Sequence, residues 1–146
     1  MNKSHEEATL ALSEYHDRLE RAAREGVLRF EQVFADSPPG VGVHEIDAQM
    51  CVVRVNPEEL RLLGYGEDEM VGRPVHEVIV MQEAARRAIE QKLKGEKELR
   101  PFVRSFKRKD GSAVALMLMD RHLRDAKGAI VGIRTAMTEV AGQAGA

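Results

Sequence analysis

Apolar or small residues at Leu12, Tyr15, Leu19, Ala22 and Ala23 recur at spacings of three and four, which stacks them on one face of a helix. Asp17, Arg18, Glu20, Arg21 and Arg24 fill most of the remaining surface, and no proline interrupts the stretch, so the pattern predicts helix from about His5 to Phe34. Ser4 followed by Glu7 fits a capping box at its start. Gly26 predicts a joint, after which Val27 to Phe34 forms a short second helix that turns Phe30, Val33 and Phe34 toward a domain. Asp36-Ser37-Pro38-Pro39-Gly40 ends it.

Beyond Gly40 the period changes. Val41 to Ile46 and Cys51 to Val55 read as strands joined by a turn near Asp47 to Gln49. Asn56-Pro57 opens a helix over Pro57 to Leu63, with Asn as N-cap and Pro at the first helical position, and Gly64-Tyr65-Gly66 closes it. After a turn at Gly72-Arg73-Pro74, Gln82 to Lys94 is a longer helix with Ala85, Ala88, Ile89 and Leu93 inward and Gly95 as its stop. Leu99 to Arg108 and Ala113 to Leu123 form a hairpin about Lys109-Asp110-Gly111-Ser112, and Asp125-Ala126-Lys127-Gly128 turns the chain into Ile130 to Thr138. The order predicts an α+β domain, a five-stranded antiparallel sheet with helices on one face, preceded by an N-terminal amphipathic helix. Residues 141–146 are small or polar and read as a flexible tail or linker.

With 146 residues and 43% hydrophobic composition the chain can bury a core of its own. A net charge of −2, no Trp, two Tyr and four Phe supply neither a broad positive field nor a stacking platform, so nucleic acid is not an expected partner. Cys51 is alone, which rules out an intrachain disulfide and suits a reducing compartment. The longest apolar run, Ala113 to Met119, is too short to span a membrane, and the acidic start MNKSHEEATL lacks a secretory pattern. The expected setting is cytoplasmic, with no membrane contact.

Four segments in order resemble the PAS (sensory box) family over residues 30–140: ADSPPGVGVHEID, VVRVNPEELRLLGYGEDEMVGRPVHEVI, FKRKDGSAVAL and LRDAKGAIVGIRTAMTEV. Thr138-Glu139-Val140 is similar to the family's closing Asp-Ile-Thr motif, with Glu for Asp and Ala141 where Thr is usual. The resemblance implies residues 1–29 as a dimerisation helix, a sensor domain over 30–140, and signalling by ligand or partner contact rather than by catalysis. It also implies a homodimer and a separate output domain or partner protein.

The chemistry of individual positions narrows this. Flavin-binding relatives carry a Cys after Gly-Arg, where this chain has Val75, and an Asn pair that would fall on Phe106 and Leu116; flavin is not expected. Haem relatives ligate iron from a His on the long helix, which here has none, and His44, His76 and His122 lack metal-ligand spacing. Phase from the hairpin turns Phe102, Arg104 and Phe106, Leu116, Leu118 and Asp120, and Ile133, Thr135 and Met137 inward as a candidate ligand pocket. Pairing that runs symmetrically from the turn would set Phe102 opposite Asp120 and bring Arg104 diagonally to it, to meet a carboxylate-bearing ligand or to form a structural ion pair. Two alternatives are a ligand-free adaptor with a collapsed core, favoured by the bulky lining, and a small enzyme using Asp120 with His122.

Overall fold

A computed structural model describes residues 2–140. Its elements are α1 (Asn2–Glu25), α2 (Val27–Ala35), β1 (Val41–Asp47), β2 (Val52–Val55), α3 (Pro57–Leu63), α4 (Glu67–Met70), a 3-10 turn (Val75–Val78), α5 (Gln82–Leu93), β3 (Phe102–Lys107), β4 (Ala113–Arg124) and β5 (Ile130–Glu139). The strands form one antiparallel sheet in the order β2-β1-β5-β4-β3. Helix α1 begins at Asn2, so Ser4 lies within it and is not its cap. The proposed tail, 141–146, lies outside the described residues.

Both faces of the sheet are covered. On the inner face Ile46, Phe106, Val114, Leu116, Leu118, Ile133 and Met137 pack with Leu63 of α3, Met70 of α4, Val75, Ile79 and Ala85 and Ile89 of α5. On the outer face Val41, Val43, Met117, Ala136 and Val140 pack with Leu12, Tyr15, Leu19 and Ala22 of α1 and with Val33 and Phe34 of α2. Leu12, Tyr15, Leu19 and Ala22 of the α1 stripe that suggested a dimer interface are therefore covered by the chain's own sheet and α2, with Leu12 and Leu19 at 0% exposure, while Ala23 is exposed. Tyr15 fixes the α1–α2 angle by donating to the Val33 and Phe34 carbonyls at 2.8 and 3.1 Å. Gly26, at φ 132°, makes the bend between the two helices.

Helix α3 starts where the sequence places it, for a reason that extends beyond capping. Asn56 Oδ1 accepts from the Glu59 amide at 3.1 Å and from the Val43 amide of β1 at 3.0 Å, while its Nδ2 donates to Ser37 Oγ at 2.9 Å. One amide thus joins three segments. Asn56→Ala is expected to cost about 2–3 kcal/mol, more than a surface cap, because a buried Val43 N–H also loses its acceptor. Urea denaturation checks this; a loss below about 0.5 kcal/mol would show that the cap can be replaced without strain.

The β3–β4 turn corrects the expected register. Gly111 donates to the Arg108 carbonyl and Arg108 donates to that of Ser112, leaving a three-residue loop centred on Asp110 with Gly111 at φ 92°. Phe102 therefore opposes Leu118, not Asp120, and Arg104 opposes Leu116. The shift is two residues, so the inward and outward phases survive it.

Candidate functional site

A row of polar side chains crosses the inner face, because His44 pairs with Thr135 between β1 and β5 and Thr135 with Asp120 between β5 and β4. Thr135 donates its hydroxyl to Asp120 Oδ1 at 2.6 Å. The other Asp120 oxygen accepts from Lys92 Nζ of α5 at 2.8 Å, with both side chains buried. Burial pushes the Lys92 ammonium below its ordinary pKa, and the Asp120 carboxylate opposes that shift. At the other end of the row His44 Nδ1 donates to Glu59 of α3, lying 2.9 and 2.8 Å from the two carboxylate oxygens. Desolvation works against the His44 proton, but the charge and hydrogen bond of Glu59 outweigh it and the pKa is raised. Gly42 makes this approach possible, since a Cβ there would stand 2.8 Å from Glu59 Cβ.

Asp120 thus finds its cation on α5 rather than in Arg104, and the expected Arg104–Asp120 ion pair does not form. Arg104 is half-buried and makes no hydrogen bond or ion pair among the described residues. Its guanidinium lies 4.7 Å from the centroid of the Phe102 ring, which also takes Lys92 Nζ at 3.8 Å. Burial lowers its pKa, partly offset by the negative charge of Asp120.

These groups surround a cavity of about 20 Å³, enough for a single water. Of the nine residues expected to line a pocket, Arg104, Phe106, Leu118, Asp120, Ile133 and Thr135 do so, joined by His44, Ile46, Val75, Ile79 and Ile89. Leu116 and Met137 are buried in the surrounding core, while Phe102 sits half-buried at its rim. The residues that sequence reasoning missed, Lys92, His44 and Glu59, are all charged or chargeable groups at core positions. Lys92 carried a readable signal, because it falls three residues after Ile89 and seven after Ala85 on the buried side of α5. His122 donates to or accepts from nothing on Asp120; its Nε2 lies 2.8 Å from the Lys92 carbonyl at the end of α5, so the acid–base pair considered for an enzyme is not assembled. Among the described residues no three His, Cys, Asp or Glu side chains converge as a metal would require.

Five antiparallel strands in this order, with short helices and one longer helix over a polar-lined inner face, define the architecture. The sequence matches the family described as PAS fold over residues 29–139. The chain belongs to the PAS family. PAS domains are signal-sensing modules and are typically not enzymes. Solved PAS structures share the fold: a domain of an HTR-like protein from Haloarcula marismortui has 24% identity and TM-score 0.64, covering 85% of this chain and 99% of its own. A PAS domain from Colwellia psychrerythraea has 15% identity and TM-score 0.66, covering 75% and 92%. The Rhodobacter sphaeroides LOV protein has 19% identity and TM-score 0.63, covering 91% of this chain and 70% of its own. A comparison with curated proteins finds no match. Among the described residues no helix of this PAS domain is long and apolar enough to cross a membrane.

Proposed function

We propose that this PAS domain is a sensory module, not an enzyme, that responds to a small anionic ligand entering between α5 and β3. The reading rests on an imbalance of charge at the inner cavity. Lys92 is matched by Asp120 and His44 by Glu59, while the half-buried Arg104 borders the same space without a carboxylate of its own. A desolvated guanidinium is a ready partner for a carboxylate or similar anion. Such a ligand must displace side chains, because about 20 Å³ admits no organic molecule. The natural movement is a displacement of α5, which lines the cavity through Ile89 and is tied to the sheet by the contacts of Lys92 with Asp120 and the Phe102 ring. The bulk of Val75, Phe106 and Leu116 at the positions matching the flavin Cys and Asn pair weighs against a tricyclic cofactor.

The small cavity also supports a second reading, an adaptor that acts through partner contact alone. Thermal melting with millimolar mono- and dicarboxylates separates the two. The sensory reading expects at least one acid to raise the melting temperature of the parent, and Arg104→Met to abolish the rise without matching loss of ligand-free stability. If no acid in the panel stabilises the parent, the adaptor reading stands instead. Cytoplasmic signalling to an output partner, and pairing with a second copy, belong to the same proposal. Since Leu12, Tyr15, Leu19 and Ala22 are covered within the chain, the large apolar residues of α1 and α2 left exposed for such contacts, among the described residues, are Leu10, Val27 and Leu28.

A further inference from the structure

Helix α1 is fastened to the outer face of the sheet by a polar contact at the centre of its apolar stripe. His16 lies one turn beyond Leu12 and is completely buried. Its Nε2 bonds the Met119 carbonyl of β4 at 2.9 Å, and its Nδ1 accepts from Arg134 Nε of β5 at 3.2 Å. A carbonyl on one side and an N–H donor on the other can be satisfied together only by the neutral ring with its proton on Nε2. Arg134 is itself buried and held by the sheet: its remaining nitrogens lie 3.4 Å from Glu45 of β1 and 3.5 Å from Glu20 of α1. Adding a proton to Nδ1 would set two donors and two positive charges against each other between buried side chains.

We infer that His16 and Arg134 form an acid-sensitive latch, which holds α1 on the sheet while His16 is neutral and releases the helix when His16 takes up a proton. The moving part is α1, because Arg134 belongs to the central part of the sheet whereas α1 is joined to the domain through the bend at Gly26, where a side chain would meet nothing within 4 Å. The groups facing His16 do not cancel the effect. Arg134 and Arg121 oppose a proton there, and Asp120, on the far side of the sheet, favours it. Glu20 and Asp17 of α1 are engaged with Arg121 at 2.8 and 3.2 Å, and Glu45 is shared between Arg134 and Arg54. From α2, α1 meets the two carbonyls bonded by Tyr15, the apolar Val33 and Phe34, and Arg29, which is paired with Glu25 at 3.6 Å. Burial is the main reason that the His16 pKa falls to about 4. Release bares Leu12 and Leu19 on the helix together with Val43, Met117 and Ala136 on the sheet, an apolar surface hidden at neutral pH.

Hydrogen exchange of the full chain at pH 7 and pH 4, corrected for intrinsic rates, tests the latch with α5 as internal reference. A ring that must move from about 4 to the ordinary 6.5 on release predicts that α1 protection falls on the order of a hundredfold at pH 4. His16→Gln supplies a donor to Met119 and an acceptor to Arg134 but cannot titrate, so its α1 should stay protected in acid. The nearby carboxylates remain in that variant, and acid release of α1 in His16→Gln to the same extent as in the parent would overturn the proposal. Should His16→Gln fail to dock α1 at pH 7, the parent's own imidazole resonance decides. Titration near pH 4 together with loss of α1 protection supports the latch, and titration of His16 with α1 still protected refutes it.

Discussion

Lys92→Met is expected to destabilise the domain by about 3–5 kcal/mol, among the largest single losses available in it, because it leaves Asp120 as an uncompensated buried charge. Both members of the pair are buried, with Lys92 at 3% and Asp120 at 8% exposure. Asp120→Leu should cost a similar amount, since it strands the Lys92 ammonium. The double variant should be much closer to the parent than the sum of the two, because two apolar side chains of comparable length can replace an ion pair without loss. Arg104→Met, which removes no partner from Asp120, should cost less than either single change. Urea denaturation with unchanged slope gives all four values. Additive losses in the double variant would show that Lys92 and Asp120 do not depend on each other.

Glu59→Gln is the second large effect, expected at about 3 kcal/mol at pH 6 because Glu59 has no exposed surface and is the charge partner of His44. Its signature is a change in pH dependence. His44 has a folded pKa above its unfolded value near 6.5, so the pair's contribution is complete below about pH 6.5 and is lost as pH rises through the folded pKa. His16 runs the opposite way. Its folded pKa of about 4 lies below 6.5, so its contribution is complete above about pH 6.5 and is lost as pH falls toward 4. The parent should therefore be most stable near pH 6.5, falling on both sides. In Glu59→Gln the decline above that pH should flatten while the acid side persists. A parent whose stability is level from pH 6 to 9 would mean that His44 is not held as a cation.

What the sequence revealed and what it concealed divide along physical lines. Asn56-Pro57 and Asp110-Gly111 were readable because each places a residue type where local backbone geometry demands it, and β-strand alternation then set which side chains face inward. Register across the β3–β4 turn was not readable, because loops centred on Asp110 and on Gly111 both keep Asp-Gly in the turn and differ by two residues in pairing. The N-terminal stripe correctly marked a buried face, but amphipathicity does not say whether the covering surface belongs to the same chain or another, and here it is the chain's own sheet. The partner of Asp120 was missed because a lysine on a helix is ordinarily read as solvent-facing; only the phase of Ala85, Ile89 and Lys92 points otherwise. His16 sits on the Leu12–Leu19 stripe in the same way. Both are charged or chargeable residues at core positions, the places where local rules give way to pairing across the fold.

The most direct test of an anion-responsive inner face is a backbone amide NMR titration of the domain with the same panel of small mono- and dicarboxylates. Saturable shifts centred on His44, Lys92, Arg104, Asp120 and Thr135 are expected, and their absence in Arg104→Met. Shifts confined to surface cations such as Arg61, Arg86 and Lys109, or no shifts with any acid, would contradict an anion-responsive inner face.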